Sequence, residues 1–201
     1  GPVPDRGGSG PGLGWFEGLT GKLLIAMPGI GDPRFERAVI LMCVHSSEQA
    51  MGVTVNRPLE GVTLRSVMGK LGVDGAEAAP DQDVLSGGPV ERERGFVLHT
   101  DDYETLDSTL PIGSGISMTA TREVLDALAD ADRRPHRSRL VLGCASWAPG
   151  QLEGELAQNV WLTAEVEADI VFDDAHDTKW SRALAGLDIS TDRLSAAAGH
   201  A

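Results

Sequence analysis

Ala38-Val39-Ile40-Leu41-Met42-Cys43-Val44 is unbroken apolar sequence, Ser46-Ser47-Glu48-Gln49 is polar, and Gly52-Val53-Thr54-Val55-Asn56 turns apolar again. The first run lacks alternation, as a strand buried on both faces does. Two such runs joined by a short polar turn predict an antiparallel pair. Upstream, Leu23-Leu24-Ile25-Ala26 is a further short strand, stopped by Pro28-Gly29-Ile30-Gly31-Asp32-Pro33. Downstream the period changes: Leu64, Val67, Met68 and Leu71 fall at i, i+3, i+4 and i+7 behind Thr63, a capped helix.

Further strands are predicted at Val84-Leu85, at 95–99, at 112–118 and at 140–144, with a late one at Ile170-Val171-Phe172. Helices are predicted through Val124, Leu125, Leu128 and Ala131, entered at Thr119 or Thr121, then over about 150–158, and through Trp180, Ala183, Leu184 and Leu187. A short capped turn is expected around Asp192. Paired strands come early and helices alternate with strands later, which predicts an α+β domain with a mixed sheet and helices packed on it. The Gly- and Pro-rich residues 1–18 read as a disordered arm before a single domain over 19–201. Gly1-Pro2 looks like a protease remnant, and Trp15-Phe16 would dock the arm.

The chain has 201 residues and a formal net charge of −13, so its surface repels a polyanion on average and nucleic acid is an unfavoured partner. No apolar run reaches the roughly 20 residues that span a bilayer, and no basic start leads into an apolar stretch. Cys43 and Cys144 sit inside apolar runs and read as buried thiols of a reducing compartment. A cytoplasmic protein without a membrane partner is the expectation.

Several segments together carry a family resemblance: 24–28, 35–45, 51–58, Gly87-Gly88-Pro89-Val90, 95–99 and Trp147-Ala148-Pro149-Gly150-Gln151-Leu152-Glu153, followed by Glu155, Asn159, Trp161 and the closing Gly199-His200-Ala201. In this order they resemble the YqgE/AlgH family of bacterial proteins. The resemblance implies a bent, barrel-like, largely antiparallel sheet flanked by helices. It transfers no catalytic residue and no cofactor. AlgH carries a transcriptional-regulator label, which implies no mechanism. One departure is Cys144, where the family usually has an aromatic residue.

The motifs of known chemistry are weak. Gly29-Ile30-Gly31 opens like a dinucleotide fingerprint, but Arg34 stands where the third glycine belongs. Gly21-Lys22 and Gly69-Lys70 lack the upstream glycine of a phosphate loop. The five histidines are scattered without metal-ligand spacing, so no metal is expected. Gly143-Cys144-Ala145-Ser146 leaves a strand before a helix but does not match a nucleophile elbow.

The candidate ligand-binding residues are Asn56, Arg57, Gly87, Gly88, His99, Gln151, Glu155 and Asn159, expected to border one cleft. Asn56-Arg57-Pro58 and Ser86-Gly87-Gly88-Pro89 would seat an anion on glycine amides and a guanidinium. Gln151, Glu155 and Asn159 line up beside the core-facing Leu152, Leu156 and Val160, and would form a wall or else bond neighbouring backbone. Three functions follow. The leading one is a non-enzymatic binding or regulatory protein acting through a protein partner or a small ligand. The second is a hydrolase-like enzyme using Glu155 with His99 or Ser146. The third is DNA contact through the basic stretch Arg133-Arg134-Pro135-His136-Arg137-Ser138-Arg139, which otherwise reads as a solvated loop.

Overall fold

The computed structural model describes residues 18–29 and 31–187. The arm with Trp15 and Phe16, the turn around Asp192 and the closing Gly199-His200-Ala201 lie outside the described residues. Ten strands form one sheet. They are β1 (Lys22–Ala26), β2 (Val39–His45), β3 (Ala50–Thr54), β4 (Pro58–Thr63), β5 (Asp83–Ser86), β6 (Val90–Thr100), β7 (Thr109–Gly113), β8 (Ile116–Thr119), β9 (Ser138–Trp147) and β10 (Trp161–Glu165). The helices are α1 (Leu64–Lys70), α2 (Arg122–Leu128), α3 (Gln151–Ala157), α4 (Ala168–Phe172) and α5 (Lys179–Ala185).

The main strand order is β10-β1-β2-β3-β9-β6-β8-β7, with β5 on β9 and β4 on β5. Every pairing is antiparallel except β5 with β9. The sheet curls until its two flanks share an interior: Leu23 and Leu41 from one side pack in one cluster with Ile112 and Met118 from the other. At the closing point Gly21 has φ +84, and a Cβ there would lie 2.8 Å from the Ile112 carbonyl oxygen, so only glycine fits.

The two faces explain the unpatterned first strand. Val39, Leu41 and Cys43 point into the curled interior, while Ile40 and Met42 belong to an outer cluster with Trp147, Leu152 and Trp161. A second outer cluster joins Leu64, Met68, Val124 and Leu128 of α1 and α2 to Val97 and Leu140 of β6 and β9. Helices α4 and α5 fill the interior mouth with Ile170, Val171, Phe172 and Ala183. The Trp180 indole donates to the Ala26 carbonyl (2.9 Å) and pins α5 to β1.

Thr63 caps α1 as its sequence predicts, in a reciprocal box with Ser66. Two local expectations need correction. Ile170-Val171-Phe172 is helical, because three consecutive apolar residues carry no period and all three reach core in a mouth-filling helix. The segment 112–118 is a hairpin, turning at Ser114 (φ 58) and Gly115 (φ 80), the two left-handed residues of a tight hairpin turn. Helix α3 stands within the expected 150–158 and ends before Asn159, which takes φ 61 as the chain re-enters the sheet as β10 on β1.

Candidate functional site

Strand β9 gives one edge to two partners in turn. Leu85 and Ser86 of β5 pair with Val141 and Leu142, and Gly52 to Ala50 of β3 pair with Ala145 to Trp147. The seam between them is closed by backbone: the Thr54 amide donates to Gly87 O and the Gly87 amide to Leu142 O, each 2.8 Å. A Cβ on Gly87 would lie 2.2 Å from Gly143 O, and one on Gly88 2.3 Å from Cys144 O. These glycines permit a backbone crossing. Gly87 is buried with its amide used, so it is not the exposed anion donor its sequence suggests.

Over this seam lies an open cleft of about 370 Å³, lined by Arg34, Arg57, Arg92, Ser86, Gly88 and Leu142 among others, none acidic. Its walls are tied together. The Asn56 side chain accepts from the Val39 amide (3.0 Å) and donates to Arg37 O (2.9 Å). The Arg57 guanidinium donates to the carbonyls of Arg34 and Glu36, while Ser86 N donates to Arg57 O (2.7 Å). Burial pushes Arg57 below the usual arginine range, and Glu36 and Asp32 pull it back; it stays cationic.

Arg34 leans on Asp32 (2.9 Å). That contact holds the Asp32 carboxyl below its usual range, chiefly through hydrogen bonds from Arg34. Glu91 pairs with Arg94 at 3.6 Å rather than with Arg92, which is exposed and enters no ion pair among the described residues.

The Gln151–Glu155–Asn159 line lies elsewhere. Glu155 Oε1 accepts from both the Trp147 and Trp161 indoles (3.0 and 2.8 Å), and Oε2 from Gln151 (3.1 Å). Gln151 also accepts from the Ala148 amide (2.9 Å). Asn159 is exposed at the turn that ends α3. Phe35 meets Trp161 edge-on (5.7 Å between centroids), so the loop carrying Arg34 bridges the tryptophan cluster and the arginine cleft.

His99 is fully buried on β6. Its Nδ1 donates to Thr100 O and its Nε2 accepts from the Thr119 hydroxyl, both 2.8 Å. Burial lowers its pKa, opposed by the Thr100 carbonyl and by Asp102 and Asp101. In the ladder His99 pairs with Ser138, eight residues before the exposed Ser146 on the same strand, roughly 26 Å at strand rise. The eight candidates therefore separate into three places. Arg57 and Gly88 line the cleft, Asn56 and Gly87 buttress it, and His99 stands apart, as do Gln151 and Glu155 of α3 with Asn159 just after it.

In the basic stretch Arg133 and His136 are exposed, Arg134 and Arg137 half-buried, and Arg139 buried. Arg134 donates to Ala78 O (3.2 Å) and Arg137 pairs with Asp169 (2.7 Å). Arg139 is 1% exposed and donates to the carbonyls of Asp83, Phe172 and Asp173 and to the Asp174 carboxylate. Lys179 is fully buried and donates to the carbonyls of Val55 (2.9 Å) and Val171 (3.3 Å), anchoring α5. Sequence reasoning missed Arg34 and Arg92 as cleft residues. No local pattern signals Arg92, because Glu91 takes φ 49 and the β6–β9 register shifts between Val90 and Gly95, so strict alternation fails over 91–94.

A family model described as AlgH-like matches residues 23–192. A protein of Caulobacter vibrioides is 56% identical over 185 residues, covering 92% of this chain and 95% of its own length. One from Ruegeria pomeroyi is 48% identical over 184 residues, covering 91% and 99%. The solution structure of the AlgH protein from Pseudomonas aeruginosa superposes with a TM-score of 0.72 at 36% identity, over 94% of this chain and 96% of that one. A crystal structure from Corynebacterium diphtheriae shares the fold (TM-score 0.66, 22% identity, 81% of this chain and 83% of that one).

Proposed function

Because the chain belongs to the AlgH-like family, whose match spans the whole cleft, we propose that it is a non-enzymatic cytoplasmic binding protein that seats a small anion between Arg34, Arg57 and Arg92. The observation that carries this reading is the concentration of three guanidinium groups, with no carboxylate in the lining, on a chain of net charge −13. Guanidinium forks match phosphate and carboxylate geometry. The acidic remainder disfavours nucleic acid while leaving a small anion free to enter. No helix among the described residues is long and apolar enough to cross a membrane, and both cysteines are free and buried, as suits a reducing compartment.

The absence of chemistry in this reading follows from how the acid–base groups are used. Glu155 holds two indoles, His99 holds two threonines, and neither faces the cleft. Regulation has a physical route: an anion bridging Arg34 and Arg92 competes with Asp32 for Arg34 and so re-poses the loop before β2. The basic stretch supports this reading over DNA contact, since Arg134, Arg137 and Arg139 are engaged within the fold.

Calorimetric titration with inorganic phosphate and pyrophosphate at low ionic strength tests it. Saturable binding that weakens with salt and falls at least tenfold in Arg92→Glu is expected. Binding of neither anion, or binding indifferent to Arg92→Glu, overturns the reading.

A further inference from the structure

We propose that the ligand of the arginine cleft is a single-chain amphiphile, a phosphate monoester whose alkyl tail crosses Leu142 into a second, apolar cleft. This deepens the anion-binding reading and rests on it. The second cleft, about 450 Å³, opens on the same outer face between α1 and α2, and the half-buried Leu142 lines both clefts. Its floor is Val97 and Leu140, and its walls include Val67 and Leu71 of α1 and Val124 of α2. That volume lies in the range of small-ligand pockets.

The two clefts share Leu142 and rest on one buried cluster. Leu59 from the arginine cleft packs on the same cluster as Val67 and Leu142 from the apolar one. Leu71 at the lip is 48% exposed, one of three large apolar side chains left exposed among the described residues. Exposed apolar area at one end, and at the other Arg92 without an ion pair among the described residues, call for an occupant with both characters.

Charge complementarity selects among occupants. Three arginines line the first cleft, while the second is mainly apolar and carries Lys70, Arg122 and Glu93 only as exposed side chains, so the ligand carries its charge on a terminal head. A phosphopeptide would bring backbone N–H and C=O groups into the apolar cleft without partners. A bilayer is disfavoured twice: the acidic surface repels anionic headgroups, and the apolar residues line a concavity.

The test compares inorganic phosphate, ethyl phosphate, decyl phosphate below its aggregation threshold, and decanol by calorimetry on the full chain. Decyl phosphate is expected to bind about 100-fold more tightly than ethyl phosphate, a fraction of what burying eight further methylenes allows. Leu71→Asp, at an exposed position that keeps the core intact, should cut that ratio at least tenfold. Arg92→Glu should weaken both phosphates. Equal affinity for ethyl and decyl phosphate overturns this inference and leaves anion binding standing, whereas no binding of any phosphate overturns both. Decanol binding as tightly as decyl phosphate, or association only with phosphatidate vesicles, also overturns the inference.

Discussion

Replacing Glu155 by alanine separates a structural carboxylate from a functional one. Trp147 and Trp161 are 6% and 3% exposed, and both indole N–H groups are satisfied by the same carboxylate oxygen, at 3.0 and 2.8 Å. A hydrogen bond to a charged group contributes about 1.5–3 kcal/mol, and a buried donor left unpaired bears its desolvation penalty. Losing both bonds in Glu155→Ala is therefore expected to destabilise the fold by about 3–5 kcal/mol. Glu155→Gln keeps an acceptor oxygen facing the indoles and loses only the charge assistance, about 1–2 kcal/mol. Urea melts followed by tryptophan emission and by far-ultraviolet circular dichroism measure both. A loss below about 1 kcal/mol in Glu155→Ala would refute the structural assignment. So would equal losses in the two variants, which would implicate the charge itself.

Leu152→Ala should destabilise by about 2–5 kcal/mol, since Leu152 is fully buried, and the half-buried Leu156→Ala by about half that; denaturant melts reversing the order would mean that α3 faces the other way. Burial, joined by Arg139 and opposed by Asp173, brings Lys179 from 10.5 down to about 7. Between those pH values the unfolded chain binds the extra proton, so this group makes stability rise with pH, by at most about 1.4 kcal/mol per unit. The stability of wild type relative to Lys179→Met should then climb from pH 7 towards 10, and a pH-independent difference would contradict the burial argument. Duplex DNA should bind negligibly at physiological salt, because Arg137 and Arg139 are tied to Asp169 and Asp174; submicromolar, salt-sensitive anisotropy binding would show that the stretch is free to act outward.

What was legible in the sequence depended on period. Strand β2 and helix α1 carry long or regular apolar patterns, and both stand where those patterns put them. Residues 170–172 carry three apolar positions and no period, so nothing local told helix from strand. Strand β10 escaped notice because Trp161 and Leu162 are followed by Thr163 and Glu165, an edge strand whose pairing with β1 is set by tertiary contact.

At the site, Asn56-Arg57 and Ser86-Gly87-Gly88 were legible as a pair of turns, since turn residues sit where strands end. They meet directly on one edge of β9, through the Ser86 amide to Arg57 O and the Thr54 amide to Gly87 O, beside a close pass of Gly87 over Gly143 that no local pattern encodes. Glu155 was legible as a polar residue beside a core face. That its partners are two indoles follows from Trp147 and Trp161 flanking α3, a spacing with meaning only once β10 returns to the sheet.

Side-chain arginine NMR during a phosphate titration asks whether Arg34, Arg57 and Arg92 meet one anion. The Nε–Hε resonances of these three should shift together with one dissociation constant, while those of Arg137 and Arg182, paired with Asp169 and Asp173, stay in place. Uniform small shifts across all arginines, or shifts in none, would contradict it.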